Sequence, residues 1–413
     1  MRILVSGASI AGPVLAYWLT RHGFDVTVVE RAPTLRKTGG HAVDLFRPAM
    51  EISAKMGVLS QIEALATGTN RMTMHREGRA RPFEIDLTKI YAATSDRHVE
   101  IMRDDLSDIY YSAGRDEVEY LFGDSVTAIE HDGEVTFEHA PARRFDVIVG
   151  ADGLHSNVRR LTFGEEADLT RFLGGYLAVV SAPKALARRG EVTCHVGMGR
   201  VAAIYTAEHL DDARAVFLFR SDRELDYDHR DTLRQKALLR DALAGMHEQV
   251  DGWLKEIDRT PAFYFDSISQ LRLDRWSRRR VTLVGDAGYC PGPAVGGSTS
   301  LAVLGAYVLA GELAQADGDH LRAFAAYELQ MREPVRRSRA FARGAAKGII
   351  PGSRLGVWAL TRGAQLVSLM PGSLSRSLAK LNAKGIRMHD SMAVPDYSAT
   401  DLQANERKAR RWN

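Results

Sequence analysis

Three short apolar runs in this chain each end in a glycine turn, and an acidic residue accompanies every turn. The runs are residues 2–6, 147–149 and 281–284. Short runs rich in valine, isoleucine and leucine are typical of buried strands, and a glycine directly after the run ends the strand in a turn. Open α/β sheets hold their ligands at the carboxyl ends of the strands. The three turns therefore predict an α/β fold that holds one long, polyhydroxylated ligand.

The first turn lies in the setting that a dinucleotide-binding fingerprint requires. A glycine-containing turn from Gly7 to Gly12 precedes a helix-like run to His22, and a second strand, residues 26–29, ends on Glu30. Backbone N–H groups at the start of a helix favour a pyrophosphate there, and an acid after the second strand is placed to bind a ribose. The candidate nucleotide-binding residues of this unit are Gly7, Ser9, Ile10, Ala11, Gly12, Glu30 and Arg31.

The second turn lies within residues 146–160. Asp152 and Gly153 follow the apolar strand directly, and Arg159 and Arg160 add a cationic pair. An isolated Asp-Gly turn commonly connects a strand to a helix without any binding role. Because similar turns follow two other predicted strands, we interpret Asp152 and Gly153 as residues that contact the ligand.

The third turn, Gly285-Asp286, leads into a segment rich in proline and glycine and then into a helix-like run. The spacing of Leu301, Leu304 and Val308 predicts a helix, and Ser298 or Thr299 is expected to cap it. The plain alternative is a core strand–helix unit in which Asp286 is a turn residue. The proline and glycine residues between the turn and the helix are Pro291, Gly292, Pro293, Gly296 and Gly297.

In the order and spacing of these motifs over most of residues 1–330, the chain resembles the class A flavoprotein monooxygenases of the para-hydroxybenzoate hydroxylase fold. The resemblance implies that Gly7 and Gly12 hold the FAD pyrophosphate and that Glu30 holds the adenosine ribose. It further implies that Asp286, after Gly285, grips the ribityl chain. The Asp-Gly stretch, which the family uses for FAD and for the passing nicotinamide, matches Asp152, Gly153 and Arg159. An Arg-x-x-Leu pattern near the flavin matches Arg103 and Leu106.

The same resemblance places further residues near the flavin and shows where the chain departs from the family. Asp44, Pro293, Gly296, Gly297, Ser298 and Thr299 are assigned to FAD, and Arg47 and Arg159 to NAD(P)H handling or flavin motion. The turn Gly39-Gly40 leading to Asp44-Leu45 looks most like the tetracycline-inactivating and polyketide-tailoring enzymes. Tyr289, Ser298 and Ser300 depart from the family pattern, and Tyr289 is either a flavin neighbour or a packing residue.

The resemblance implies a reaction in which FAD, NADPH or NADH, and O2 take part. A flavin C4a-hydroperoxide would transfer one oxygen atom to an aromatic or polyketide-like small molecule. Two alternatives stay open: a flavin-dependent reductase or dehydrogenase without oxygen insertion, and a non-catalytic flavoprotein that binds an aromatic ligand. No residue is identified as a general base.

The expected fold class is α/β: a Rossmann-like FAD-binding domain with an inserted antiparallel-sheet substrate domain and a C-terminal helical segment. The FAD-binding parts are residues 1–71, 99–172 and 277–335, the substrate-domain parts are residues 72–98 and 173–276, and residues 336–413 form C-terminal helices and a basic tail. Alternating residues in the substrate domain predict strands. Of these, His195, Tyr205 and Phe217 are candidates to face the substrate, although alternation does not reveal which face is inward.

Composition limits the classes of partner that the chain is expected to bind. The chain has 413 residues and a net charge of +3, too small a charge to indicate nucleic-acid binding. Its two cysteines, Cys194 and Cys290, exclude a disulfide framework or a cysteine-rich metal site, and no metal is expected. No apolar run is long enough to span a membrane. The sequence therefore predicts a cytoplasmic enzyme, monomeric or homodimeric, that binds a small molecule.

Overall fold

The computed structural model describes residues 1–35, 40–79, 81–89, 98–228, 230–260, 262–294, 297–369 and 388–398. The helices in this part of the chain are Ala11–Arg21, Arg47–Lys55, Leu59–Ala64, Arg103–Gly114, Asn157–Phe163, Glu166–Leu169, Thr232–Leu243, Glu248–Lys255, Asp286–Tyr289, Ser298–Gln315, His320–Ile349 and Arg354–Leu369. Short 3₁₀ turns are Arg115–Glu117, Lys184–Leu186 and Glu256–Asp258.

A six-stranded sheet forms the nucleotide-binding half of the molecule. Its strands, in spatial order, are Ser277–Arg278, Val281–Leu283, Val147–Gly150, Arg2–Ser6, Asp25–Glu30 and Glu119–Phe122. All neighbours pair in parallel except the first two, which are antiparallel. Because parallel strands end at one edge, the three predicted turns, which follow three adjacent strands, come together there. Ile3, Leu4 and Val5 are fully buried between helices, which accounts for their continuous apolar run.

A seven-stranded sheet forms the second half. Its strands, in spatial order, are Phe263–Leu271, Thr170–Pro183, Asp212–Arg220, Arg200–Tyr205, Glu191–Gly197, Arg71–Arg76 and Phe83–Asp86. Pairing is antiparallel except between Glu191–Gly197 and Arg71–Arg76, which run parallel. The strands from segment 72–85 therefore join the sheet formed by the later segment. Two small antiparallel sheets complete the described strands: Arg143–Arg144, Glu134–Phe137 and Val126–Ile129 form one, and Ala42–Leu45 with Val99–Met102 form the other.

The two faces of the seven-stranded sheet pack against different helices. One face, with Ala202 and Phe217, buries against helices Thr232–Leu243 and Glu248–Lys255. The other face, with Cys194 and Val196, packs with residues of helices His320–Ile349 and Arg354–Leu369 and with Ala294 of the proline-glycine segment. This second face is thus the one turned toward the glycine turns.

Several elements differ in extent from the sequence-based expectation. Residues 231–254, whose charged and amphipathic pattern predicts one helical stretch, form two helices, because the chain turns at Gly245, whose φ is +65°. Helix His320–Ile349 runs through Pro334, which normally breaks a helix. A buried stripe that includes Tyr327, Met331 and Val335 holds this helix in place on both sides of the proline. The predicted domain boundary at 172/173 falls inside strand Thr170–Pro183.

Residues 355–369, whose apolar content predicts a packed helix, lie in helix Arg354–Leu369. It is only partly packed, since Leu355 is 73% and Trp358 52% exposed. The mixed α/β fold, with two principal sheets and helices at the C-terminal end, confirms the predicted fold class. In the part of the chain that the structure describes, no helix is both long and apolar enough to cross a membrane.

Candidate cofactor and active site

The three glycine turns meet at the edge of the six-stranded sheet. A Cβ atom on Gly7, whose φ is +107°, would lie 2.6 Å from the carbonyl oxygen of Ala151, so the first turn touches the second. A Cβ on Gly285 would lie 3.3 Å from the Cβ of Ala11, so the third turn approaches the first. The sequence motifs thus converge in space as the α/β topology requires.

The first helix begins in a form suited to an anion. A Cβ on Gly12 would lie 1.9 Å from the carbonyl oxygen of Gly7, so a larger residue cannot occupy this position without displacing backbone. Helix Ala11–Arg21 has no side-chain cap and no acidic residue in its first turn, although its residues from Ala11 to Thr20 are buried. Such a terminus presents N–H groups that an external anion can satisfy. Ile10, at the N-cap position, is itself buried.

Glu30 lies beside this helix terminus, as predicted for a ribose-binding acid. Its carboxylate accepts hydrogen bonds from the backbone N–H of Ala8 at 2.9 Å and of Ala32 at 2.8 Å. The two bonds orient the carboxylate at the end of its strand, next to the glycine turn. Arg31, which follows it, is exposed.

Helix Ser298–Gln315 offers a second uncapped terminus. The sequence predicted Ser298 or Thr299 as its cap, and this is wrong: the N-cap residue is Gly297, at φ +80°, and no side chain caps the helix. Ser300 instead accepts a hydrogen bond from the backbone N–H of Phe46 at 3.0 Å. Pro293 lies half-buried before this terminus, and Gly296 falls outside the described residues.

Arg103 and Asp286 link the first and third turns electrostatically. The Arg103 guanidinium donates to the Ser9 hydroxyl at 3.0 Å. Burial raises the pKa of Asp286, and the positive charge of Arg103 acts against that rise. The pKa of His41 is lowered to about 4, chiefly by burial and also by the positive charge of Arg103. The Arg103 guanidinium is therefore a positive charge that acts on both the first and the third turn.

The Asp152 carboxylate accepts hydrogen bonds from the residues that directly follow its turn. It accepts hydrogen bonds from the backbone N–H of Asn157 at 2.9 Å and of Val158 at 3.1 Å, and from the Ser156 hydroxyl. Burial raises the pKa of Asp152, and these hydrogen bonds counteract the rise. Gly153, at φ +83°, has no heavy atom within 4 Å of where its Cβ would stand. Asp152 thus shapes the turn, and Gly153 leaves the space beside it open.

Arg159 does not reach a surface where a nicotinamide could pass. Its side chain is fully buried. It donates to the backbone oxygens of Leu154 and of Ala287, the latter at 3.1 Å, and pairs with Glu166 at 2.7 Å. In this structure the guanidinium ties the second turn to the third, and the assignment of Arg159 to NAD(P)H handling or flavin motion stays a prediction.

Arg47 and Asp44 lie where the C-terminal segment 388–398 returns to the site. The Arg47 guanidinium donates to the Asp390 backbone oxygen, with its Nε at 2.8 Å, and also pairs with Glu51. Asp44 contacts the His98 ring at 2.6 Å. Burial lowers the pKa of His98, but the hydrogen bond to Asp44 outweighs it and the net shift is upward. In this structure Arg47 holds the C-terminal segment.

The three substrate-facing candidates do not share one face. Tyr205 lies toward the nucleotide-binding half, where its hydroxyl accepts the Ala42 backbone N–H at 2.7 Å. Phe217 is fully buried against helices Thr232–Leu243 and Glu248–Lys255. His195 contacts Trp253 of the second of these helices, with ring centroids 5.3 Å apart. The structure therefore places His195 and Phe217 on the face turned away from the glycine turns, which alternation could not decide.

His389 lies at the start of helix Ser298–Gln315, a position that the sequence gave no reason to expect. A Cβ on Gly297 would lie 2.1 Å from its ring, and the ring stacks on Phe46 at 5.4 Å. It is 1% exposed, and neither ring nitrogen has a hydrogen-bond partner among the residues described. Burial lowers its pKa to about 4. No motif surrounds this histidine, and only the return of the C-terminal segment brings it to the helix terminus.

The family departure at Tyr289 proves to be a packing change. Tyr289 is 1% exposed and lies 4.9 Å from Trp276 between ring centroids. Its hydroxyl accepts a hydrogen bond from the Tyr327 hydroxyl at 3.2 Å. A Cβ on Gly305 would lie 1.9 Å from the Tyr289 hydroxyl oxygen, so the ring fills space that this glycine leaves in helix Ser298–Gln315. Of the two alternatives that the sequence left open for Tyr289, the structure favours packing.

These features together fit FAD. Two helices begin without side-chain caps at one edge of the sheet. The absence of a side chain at Gly12 lets the first helix terminus lie directly against the first turn, and the Glu30 carboxylate lies beside that turn. The donors and acceptors match the chemistry of a dinucleotide with polyhydroxylated arms.

Comparison with known proteins agrees with this geometry. A family model described as an FAD binding domain matches residues 1–323. A protein of Mycobacterium tuberculosis without an assigned function is 43% identical over 345 residues, which cover 81% of this chain and 91% of that protein. A flavin-dependent monooxygenase of Legionella longbeachae is 34% identical over 345 residues, covering 83% of this chain and 87% of the relative. The crystal structure of tetracycline destructase Tet(51) superimposes with a TM-score of 0.81 at 30% identity, covering 96% of this chain and 99% of that one.

Proposed function

Because the chain belongs to the family with this FAD binding domain and is an FAD-dependent monooxygenase, we propose that its substrate is a planar aromatic or polyketide-like small molecule. Its co-substrates are NADH or NADPH and O2. The observation that carries the substrate proposal is the likeness to tetracycline destructase Tet(51), which extends over 96% of this chain and so includes the seven-stranded sheet as well as the nucleotide-binding half.

The proposed substrate site lies between the seven-stranded sheet and the third glycine turn. Tyr264 and Ala294 belong to the cluster on the sheet face turned toward that turn. The Tyr264 ring lies 6.4 Å from the ring of His41, between centroids. Aromatic and apolar groups along a domain interface suit a flat, largely apolar ligand.

We assign the cofactor contacts to the residues of the three turns. Gly7, Ser9, Ile10, Ala11 and Gly12 would surround the pyrophosphate, Glu30 and Arg31 would lie at the adenosine, and Asp286 would hold the ribityl chain. Gly285, Pro293, Gly297, Ser298 and Thr299 would line the flavin, with Asp44, Arg103, Asp152 and Gly153 around them. Bound FAD would accept two electrons from NAD(P)H and activate O2.

The chain's own residues contribute charge, position and exclusion of water. The uncapped terminus of helix Ser298–Gln315 stabilises negative charge that develops beside Gly297. Burial lowers the pKa values of His41 and His389 to about 4, so both rings stay neutral at pH 7 and add no positive charge beside the flavin. Arg47 holds segment 388–398 so that the buried His389 lies against Gly297, and we infer that the segment helps to exclude water there.

The test is NAD(P)H oxidation by flavin-loaded protein against a panel of tetracyclines, other aromatic polyketides and simple phenols. Products are examined by mass spectrometry after turnover under ¹⁸O₂. We expect at least one polycyclic substrate to accelerate NAD(P)H oxidation and to gain one labelled oxygen atom. Acceleration by simple phenols alone would contradict the polyketide assignment.

Two other outcomes distinguish the alternative functions. Turnover that yields a product without label would assign the protein as a reductase or dehydrogenase. Tight ligand binding with no stimulation of NAD(P)H oxidation would indicate sequestration of the ligand by a non-catalytic flavoprotein. A matched run with FAD-free protein separates enzymatic from spontaneous oxidation.

A further inference from the structure

Three histidines meet on the outer side of the seven-stranded sheet. His75, His195 and His247 each present one ring nitrogen, and the three nitrogens lie within 4.8 Å of one another. The rings of His75 and His195 stack at 4.3 Å between centroids, and those of His195 and His247 lie at 4.2 Å. The cluster is on the face that carries helix Glu248–Lys255, away from the glycine turns.

The fold brings the three together by strand register and by a helix start. Strands Arg71–Arg76 and Glu191–Gly197 pair in parallel with His75 directly beside His195, so both side chains leave the same face. On the opposite face, their neighbours Met74 and Cys194 belong to one apolar cluster. His247 is the N-cap residue of helix Glu248–Lys255, which packs over this part of the sheet.

His195 is prepared as a nitrogen donor. It is 2% exposed, and its Nε2 lies 3.0 Å from the Gln249 side-chain oxygen, which can only accept a hydrogen bond. When Nε2 donates to this oxygen, Nδ1 is the nitrogen that keeps a lone pair for a metal. Metal-bound histidines commonly donate their second nitrogen to such an oxygen, which fixes the tautomer and the ring orientation.

One ion pair lies beside the cluster. The charged groups beside His75 are Arg188 and Glu191, which face each other at 3.7 Å and largely cancel. Neutral imidazole is the form that binds metal.

From this geometry we propose that His75, His195 and His247 bind one divalent transition-metal cation, of which Zn²⁺ is the expected occupant. Three imidazole nitrogens suit Zn²⁺, whereas Mg²⁺ and Ca²⁺ prefer oxygen ligands. Water would complete a tetrahedral set, because His247 is exposed and His75 half-buried. The ion would cross-link two strands to helix Glu248–Lys255, in a structural role independent of the flavin.

Binding must compete with one existing contact. His247 Nδ1 accepts the Gln249 backbone N–H at 3.1 Å, so the apo ring carries its proton on Nε2. A metal bound to either nitrogen of this ring displaces that cap or moves the proton to Nδ1, where it faces the Gln249 N–H. The metal therefore replaces a helix cap, and removal of the ion restores it.

The test uses full-length, FAD-loaded protein without an affinity tag. Competition against a chromophoric chelator should show one Zn²⁺ bound per chain, and Mg²⁺ in excess should not displace it. Co²⁺ in place of Zn²⁺ should give the visible absorption bands of a tetrahedral site. Melting temperature should rise with Zn²⁺ concentration and fall on chelation.

Variants assign the ligands. His247→Ala, at an exposed position, should keep its fold and lose at least about tenfold in Zn²⁺ affinity, the lower end of the loss seen when a group that only supports a metal ligand is removed. His75→Ala should do the same, so the test does not depend on the buried His195. His139→Ala changes an exposed histidine outside the cluster and should bind as the unmodified protein does. Unmodified Zn²⁺ affinity in both His75→Ala and His247→Ala, or no binding by the unmodified chain, would overturn the proposal.

Discussion

At the scale of single residues, Gly12 sets how closely the first helix packs against the first glycine turn. A Cβ there would lie 1.9 Å from the Gly7 carbonyl oxygen, well inside van der Waals contact. Gly12→Ala is expected to displace the first turn and to lower FAD affinity by about tenfold or more, which is about 1.4 kcal/mol. FAD titration followed by fluorescence measures the loss.

The matched control is a glycine to alanine change in an open helix position. Gly344, in helix His320–Ile349, has no heavy atom within 4 Å of where its Cβ would stand. Gly344→Ala should leave FAD affinity unchanged and stabilise the fold by about 0.5–1 kcal/mol, because alanine loses less conformational freedom in a helix. Equal FAD affinities in the two variants would show that the first turn does not contact the cofactor.

Asp286 is the second residue on which cofactor binding is expected to depend. Asp286→Ala removes the acceptor proposed for the ribityl hydroxyls and should weaken FAD binding by about 1–3 kcal/mol. Asp286→Asn keeps an oxygen acceptor and should retain more flavin than the alanine variant. If Asp286→Ala purifies with full flavin and unchanged affinity, the placement of the ribityl chain is wrong.

At the scale of elements, His155 ties the second glycine turn to strand Phe263–Leu271. Its ring contacts Glu166 at 2.8 Å and Asp266 at 3.0 Å. Burial lowers the pKa of His155, but the hydrogen bonds to Asp266 and Glu166 outweigh it and raise the pKa to about 10. The unfolded value is near 6.5. The folded state therefore holds a proton that the unfolded chain releases over the intervening pH range.

The sign of the resulting pH dependence follows from linkage. The stabilisation by His155 is fully present below about pH 6.5 and is lost as the pH rises through about 10. His155→Gln should therefore lower the melting temperature most near pH 6 and least near pH 10. The exposed His139→Gln serves as control over the same pH series. A His155→Gln deficit that stays constant from pH 6 to pH 10 would contradict this assignment.

At the scale of the whole molecule, segment 388–398 fastens the C-terminal part of the chain to the nucleotide-binding half. The Tyr397 hydroxyl donates to the Glu312 carboxylate at 2.7 Å, and a Cβ on Gly311 would lie 2.3 Å from the Tyr397 ring. Glu312 is 7% exposed, and Gln330 also donates to it. The segment thus satisfies a buried carboxylate while it positions His389.

Tyr397→Phe keeps the ring and removes this donor. The variant should lose about 1–3 kcal/mol in the free energy of unfolding, because a buried carboxylate loses a hydrogen bond. Urea unfolding measures the loss, and limited proteolysis should cleave the segment faster. Asp396→Asn, at an exposed position of the same segment, should change stability by less than about 0.5 kcal/mol. Equal stability of the two variants would contradict the role of Tyr397.

Much of the architecture was predictable because its signals are local. The apolar runs, glycine turns and alternating strands each report a backbone conformation that neighbouring residues dictate, so the fold class and the family were correctly inferred. Helix ends were less accurate: Gly245 splits one predicted helix, and Gly297 rather than Ser298 or Thr299 is the N-cap residue of another. These details depend on single backbone angles, which composition does not specify.

The sequence by itself determined the order of strands, turns and helices, and with them the nucleotide-binding edge of the sheet. Tertiary structure alone decided which side chains reach that edge. Arg159 lies buried between two turns, Phe217 lies on the far face of its sheet, and His389 arrives from the C-terminal segment. The physical reason is that burial and hydrogen bonding join groups far apart in the chain, whereas a local pattern fixes conformation without fixing which face or which partner a side chain meets.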